Sequence, residues 1–197
     1  MKLKSVKKIR DEWCDSENGS ISSESLEHLK KHIEGKDENE LRRAISLVTD
    51  ARLMQFVPLI AKHLDHEDGF IREFTVGCLL GRFFQSQYAA RGLQMAKEDP
   101  REGARDLAIS SLGAIINDVA PKLMQEIADY IYHVITSPDY DMLDKQSAYR
   151  SVLKAMYITP MEWPRLKLEP NIEELVDKNL LREFCKKYNV KMNPKRS

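Results

Sequence analysis

The stretch DGFIREFTVGCLLGRF, residues 68–83, decides the fold. It follows an acidic turn at Glu67, places Arg72 near its start, and continues with apolar residues at the period of an amphipathic helix. Gly77 and Gly81 lie four residues apart inside it. Each glycine costs about 1 kcal/mol relative to alanine in a helix interior. We therefore expect both to be structural positions that a neighbouring helix approaches closely.

The same template recurs along the chain: an acid at a turn, a basic anchor about six residues later, then helix-spaced apolar or small residues. The stretch DPREGARDLAISSLGAIIND, residues 99–118, is the second clear copy. The copies begin at Asp37, His66 or Glu67, Asp99 and Asp139. Their basic anchors are Arg43, Arg72, Arg105 and Lys145, which are separated by 29, 33 and 40 residues. A unit that recurs at this interval and cannot bury its apolar face alone indicates stacked helical repeats.

Start and stop signals between the copies predict helices throughout, with no sustained period-two alternation. Ser22 or Ser23 and Asp37 are suited to N-caps, Pro121 to a first helical turn, and Asn171 to the cap of a last helix. The chain is therefore predicted to be all-α. We divide it into three regions. Residues 1–36 form N-terminal capping helices, residues 37–158 form a repeat array, and residues 159–197 form a proline-rich connector with a capping helix and a basic tail.

Composition narrows the function classes. The 197 residues carry 31 basic and 31 acidic side chains, so the net charge is about zero and no basic excess favours nucleic acid. The basic concentrations lie near the two ends and are expected to be solvated. Three cysteines without paired spacing fit a reducing compartment. With no signal-peptide pattern and no apolar run of membrane-spanning length, the expected location is the cytoplasm, without membrane contact.

Residues 68–83 and 99–118, with their acid, turn, arginine and apolar pairs, resemble HEAT repeats, closest to the short HEAT-like type also found in phycobilin lyases. The likeness covers residues 37–157. It implies a right-handed α-solenoid of about four helix pairs with capping helices. It also implies a ladder of turn acids and basic anchors along the stack, which would pair Asp37 with Arg43, Glu67 or Asp68 with Arg72, Asp99 with Arg105, and Asp139 with Lys145.

Catalytic and metal-binding patterns are weak in this sequence. Gly-x-Ser-x-Gly, Walker A, Gly-x-Gly-x-x-Gly and Cys-x-x-Cys motifs are missing. His28 and His32 share one helical turn, but zinc needs further ligands, so we expect a solvated face. One His66-Glu67 pair cannot build the two-metal site of HEAT-built di-iron hydroxylases. The sequence therefore predicts no enzyme, no cofactor and no metal site.

The expected function is non-catalytic binding of another protein through a concave face, by a chain that is monomeric when free. An adaptor, a regulator and an immunity protein against a toxin all fit. Arg82 and Arg91 are candidate partner contacts, and Trp163 is either a partner contact or a plug over the last repeat. Arg72 and Arg105 could instead bind carboxylate or phosphate. The alternative function is nucleic-acid binding like that of HEAT-like DNA-repair glycosylases; a tetrapyrrole lyase or chaperone rests on likeness alone.

Overall fold

The computed structural model describes residues 3–162 and 176–192, and all regular structure in these two ranges is helical. The all-α prediction is therefore confirmed for the described part of the chain. The α-helices are α1 Val6–Asp15, α2 Ser23–Ile33, α3 Glu38–Asp50, α4 Val57–Ile60, α5 Gly69–Val76, α6 Ala89–Glu98, α7 Glu102–Ile115, α8 Pro121–Thr136, α9 Met142–Ala155 and α10 Lys178–Lys187. Short 3-10 helices occupy Met54–Phe56, Ala61–Asp65, Ser86–Tyr88, Ile116–Asp118 and Pro160–Glu162.

Local capping sets many of the helix starts. The Ser22 hydroxyl accepts from the Ser25 N–H at the start of α2, and the Asp37 carboxylate accepts from two N–H groups of α3. Pro121 is the first residue of α8. These three predictions are confirmed. The cap predicted at Asn171 lies outside the described residues, and within them the last helix, α10, is capped by Asp177.

The second repeat departs from regular α-helix on both of its helices. Pro58 lies in the first turn of the four-residue α4, which 3-10 segments flank on both sides. After α5 the chain continues as a π-helix over Gly77–Arg82. Proline lacks an N–H and glycine lacks a side chain, so both residues make departures from α geometry easier to tolerate.

The helices form two layers. In the first, α3, α5, α7 and α9 pack one against the next, with α7 at the centre between α5 and α9. The second layer consists of α2, the 3-10 helix Ala61–Asp65, α6 and α8. Each of these elements packs on the first-layer helix that follows it in the chain. The apolar residues four positions after each basic anchor are buried between the layers: Leu47, Val76, Ile109 and Tyr149. Helix α1 packs on α3, and α10 packs on α9.

His28 and His32 are buried, so the solvated face predicted for them is wrong. His28 Nδ1 accepts from the Lys4 N–H at 3.3 Å, and His32 Nε2 lies 2.6 Å from the Lys4 carbonyl oxygen. Val6 and Ile9 of α1 are buried as well, so the basic N-terminal segment packs on the fold. The two imidazoles fix the chain entering α1 rather than facing solvent.

The glycine positions separate into two kinds. A Cβ added to Gly77 would meet Leu107 Cδ2 at 2.6 Å, and one added to Gly81 would meet the Ser111 hydroxyl at 2.9 Å. Both neighbours are α7 side chains. A Cβ on Gly113 would instead overlap main-chain atoms of Ser151 in α9. The closest approach of two helix backbones at a glycine therefore lies at Gly113, between α7 and α9.

No helix within residues 3–162 and 176–192 has both the length and the apolar character needed to cross a membrane. The cysteines are unpaired: Cys14 is exposed, and Cys78 and Cys185 are buried.

We expect Gly113→Ala to lower the free energy of unfolding by about 2–3 kcal/mol, because the Ser151 backbone cannot move aside without separating α7 from α9. Gly81→Ala is the matched control, since the Ser111 hydroxyl that it meets can rotate away. Urea unfolding measures both variants. Equal stability of the two would contradict the close backbone contact.

Candidate functional site

Arg72 forms the most highly connected junction between repeats. Its Nε and Nη2 donate to the two carboxylate oxygens of Asp99, each at 2.7 Å, and its Nη1 donates to the carbonyls of His66 and Glu67. Arg72 and Asp99 are both buried. Burial raises the pKa of Asp99, but the hydrogen bonds from Arg72 and from the Arg101 N–H outweigh it, and the pKa stays below its ordinary value.

This pairing differs from the predicted ladder, because Arg72 reaches the turn acid of the following repeat rather than Glu67 or Asp68. The Asp68 carboxylate caps α5 by accepting from the Phe70 N–H. Arg105 keeps one part of the same pattern, with Nη1 donating to the main-chain carbonyl of Asp99 at 2.9 Å.

The outer rungs of the predicted ladder are replaced by local contacts. Arg43 donates to Glu40 in its own helix at 2.8 Å, while Asp37 caps that helix. Asp139 accepts from the Ser137 hydroxyl at 2.8 Å, and the cap of α9 is Asp141. Lys145 is half-buried, and among the described residues none of the ion pairs involves it.

A second cross-repeat contact lies beside Arg72. Arg101, in the turn before α7, donates from Nε to Glu73 of α5 at 2.8 Å. Its guanidinium also stacks on the Phe70 ring at 3.3 Å from the ring centroid, with Arg42 near the same ring. An arginine held between a carboxylate and an aromatic face is oriented by both. Glu73 is therefore neutralised and fixed.

The first-layer helices α5, α7 and α9 share a groove of about 300 Å³. Its walls combine acidic, basic, hydroxyl, amide and apolar groups: Glu73 from α5, Gly103, Asp106, Leu107 and Ser110 from α7, and Leu143, Gln146, Ser147 and Arg150 from α9. A concave site with a few polar groups among apolar ones is the usual form of a binding site. We take this groove as the candidate functional site.

The groove residues occupy equivalent repeat positions. One residue after each of the last three anchors comes Glu73, Asp106 and Gln146, and all three line the groove. The remaining lining residues also occupy shared positions relative to the anchors. Gly103 and Leu143 lie two residues before an anchor, Leu107 and Ser147 two residues after, and Ser110 and Arg150 five residues after. A Cβ on Gly77 would meet Leu107 and one on Gly81 would meet Ser111, so α5 with its π-helical continuation runs in the same direction as α7, and each of these glycines faces the α7 residue three positions earlier in its repeat.

Asp106 has the most unusual environment in the groove. Its Oδ1 is buried and has no hydrogen-bond partner among the described residues. Burial, followed by the nearby charges of Asp144, Glu102 and Asp141, raises the pKa of the Asp106 carboxyl to about 6. Asp144 is the nearest acid able to form a hydrogen bond, but two carboxylates can share one only when one of them is protonated.

Basic side chains lie beside the groove, and one of them, Arg150, lines it. Lys154 of α9 donates from Nζ to the Ser110 carbonyl at 2.6 Å, across to α7. Burial, followed by the charges of Arg150 and Arg82, lowers the pKa of the Lys154 ammonium to about 8. Among the described residues, none of the ion pairs within 4 Å includes these three cations.

The predicted partner contacts fall in three different places. Arg82 lies outside the groove lining, where its charge helps to lower the pKa of Lys154. Arg91 lies on α6 in the second layer, where it binds Asp65 at 2.9 Å. Trp163 lies outside the described residues. The prediction missed Asp106, Ser110 and Arg150, although their offsets from the anchors could have indicated them.

Metal ligands do not converge in the described ranges, where no group of three or more His, Cys, Asp and Glu residues is arranged to hold an ion.

We expect Arg72→Ala to cost about 3–5 kcal/mol of stability, because it leaves the buried Asp99 carboxylate unpaired. Arg105→Ala removes one hydrogen bond to a carbonyl and should cost about 1 kcal/mol. Thermal unfolding compares them. The double variant Arg72→Ala with Asp99→Ala should regain part of the loss, and equal costs for the two single variants would contradict the asymmetry.

We expect Asp106→Asn to stabilise the chain by about 1 kcal/mol at pH 8 and by nearly nothing at pH 4. The folded-state pKa of Asp106 lies above the unfolded value, so the unfolded chain loses its proton first as pH rises from about 4 to 6. The free energy of unfolding therefore falls across that window, and asparagine removes the fall. Unfolding curves at both pH values provide the test, with Asp129→Asn on the α8 surface as control. A variant no more stable than the parent at pH 8 would contradict the assignment.

Comparison of the chain with protein-family models, with curated protein sequences and with solved structures finds no match. The likeness to HEAT repeats thus rests on the residue pattern of the chain, and function has to be argued from the groove.

Proposed function

We propose that this chain is a HEAT-like, right-handed α-solenoid of four helix pairs and that it works as a non-catalytic scaffold for another protein. The pairs would be α2 with α3, α4 with α5, α6 with α7, and α8 with α9. The succession of contacts α3–α5–α7–α9, with each second-layer helix on its own partner, supports this arrangement. The first layer would then form the concave face, and α1 and α10 would be the caps.

The observation that carries the protein-binding function is the groove itself. It presents equivalent positions of three successive repeats, and its lining combines polar and charged groups with Leu107 and the exposed Leu143. A solenoid uses such a face to follow an extended partner surface. Adaptor, regulator and immunity roles share this mode of binding. The unpaired cysteines are compatible with the cytoplasm as its site.

The alternative of nucleic-acid binding needs a basic stripe along the same face. Arg43 and Arg91 are instead engaged by Glu40 and Asp65, and the acids Glu73 and Asp106 line the groove. Carboxylates facing a phosphate backbone oppose the electrostatic attraction on which such binding depends. We therefore favour a protein partner.

Peptides that bind the full chain can be selected from a random display library. We expect Leu143→Glu to weaken the binding of these peptides by at least about tenfold, or about 1.4 kcal/mol. Leu143 is 55% exposed at the groove, and a carboxylate there would place a third acid beside Asp106 and Asp144. Met54→Glu is the matched control, at 47% exposure on a 3-10 helix outside the groove. Fluorescence anisotropy with labelled peptides measures both.

A selected peptide that binds both variants as tightly as the parent would overturn the groove as the binding face. Labelled duplex and single-stranded DNA serve as the competing probe, and we expect no affinity tighter than about 10⁻⁵ M at physiological salt. Sub-micromolar DNA binding would favour the alternative if it survives substitution of the exposed Lys7, Lys8, Lys186 and Lys191 by glutamine. These substitutions leave the buried face of α1 intact.

A further inference from the structure

The groove holds opposite charges that do not neutralise one another. Asp106 and Arg150 both line it, yet among the described residues neither takes part in an ion pair. Glu73, the third charged residue of the lining, is already bound by Arg101. Partly buried charges without partners are costly, so an occupant that neutralises both would gain from each.

The two charges lie on neighbouring helices. Asp106 belongs to α7 and Arg150 to α9, so their separation includes the distance between two packed helix axes, about 8–10 Å. In an extended peptide, side chains on one face repeat every two residues, about 6.7 Å apart. Two long side chains on one face can diverge, so an extended segment in the groove can present one charge to each helix.

The rest of the lining suits such a segment. Leu107 and Leu143 offer apolar contacts, while Ser147, Gln146 and the Ser110 hydroxyl offer polar groups for a peptide backbone. A groove of about 300 Å³ is at the lower end of ligand-site sizes and has room for a few side chains rather than a folded surface. A polyanion would face Glu73 and Asp106, and a purely basic segment would face Arg150.

Resting on the protein-binding function proposed above, we propose that the groove binds an extended segment of a protein partner that carries a basic and an acidic side chain on one face, at residues i and i+2. The basic side chain lies against Asp106, with Asp144 beside it. The acidic side chain lies against Arg150. The raised pKa of Asp106 agrees with a carboxylate that lacks a counterion in the free protein.

The test uses five labelled peptides with blocked ends in one Ser/Thr/Val background. Their central triplets are Arg-Thr-Glu, Glu-Thr-Arg, Gln-Thr-Gln, Arg-Thr-Arg and Glu-Thr-Glu. Fluorescence anisotropy with the full chain gives each Kd. We expect at least one of the two mixed-charge peptides to bind at least about tenfold more tightly than the other three peptides, because only it neutralises both charges.

Two conservative variants assign the contacts. Asp106→Asn should remove the advantage of the arginine, and Arg150→Gln the advantage of the glutamate, each by about tenfold. Asp106→Asn is expected to be at least as stable as the parent, so a loss of binding would not reflect unfolding. Asp129→Asn on α8 and Arg182→Gln on α10, both exposed, are the charge controls and should leave every Kd unchanged.

The outcomes distinguish this inference from the function on which it rests. Equal binding of mixed and neutral peptides, or mixed-charge binding unaffected by both variants, overturns the charge pair. If display-selected peptides still respond to Leu143→Glu in that case, the protein-binding function stands. If no selected peptide responds to Leu143→Glu, the proposed function itself is overturned.

Discussion

The bidentate ion pair between Arg72 and Asp99 is the contact on which the order of the repeats depends. It is buried, it joins residues 27 positions apart, and the same guanidinium also binds two carbonyls of the preceding turn. Breaking such a pair leaves an uncompensated buried charge, so slippage of α5 against the turn before α7 is strongly disfavoured. Glu73 and Asp106 each follow an anchor by one residue. The pair that fixes the anchors therefore also fixes the register of the groove.

The spacing of the first-layer helices depends on different groups at different junctions. Between α5 and α7, the Leu107 side chain lies over Gly77, so a side chain separates the two backbones. Between α7 and α9, the backbone of Ser151 lies directly against Gly113, whose N–H donates to the Ser151 hydroxyl at 3.1 Å. The Ser151 hydroxyl in turn donates to the Ile109 carbonyl. Small residues and a shared hydroxyl thus hold α7 and α9 close together beside the groove.

Acids lie near the N-terminal ends of α7 and α9, and α9 carries the bases Arg150 and Lys154 toward its C-terminal end. The helix macrodipole favours acids in the first turn of any exposed helix. It is a sufficient reason for the positions of Glu102 and Asp144. It does not account for the buried Asp106 Oδ1 that lacks a donor. Lys154 has a structural contact in addition, because its Nζ donates to the Ser110 carbonyl across to α7.

The sequence by itself determined the helices, several caps and the buried positions four residues after each anchor. Those features depend on hydrogen bonds and apolar spacing within a few residues, which a linear pattern contains. Only the tertiary structure decided that Arg72 pairs with the acid of the next repeat, that His28 and His32 are buried against Lys4, and that Gly113 is the point of closest backbone approach. Each of these contacts joins residues at least 24 positions apart, so their partners follow from how the helices stack. The pKa of Asp106 likewise depends on Asp144 from another helix, because desolvation and neighbouring charge are properties of the assembled groove.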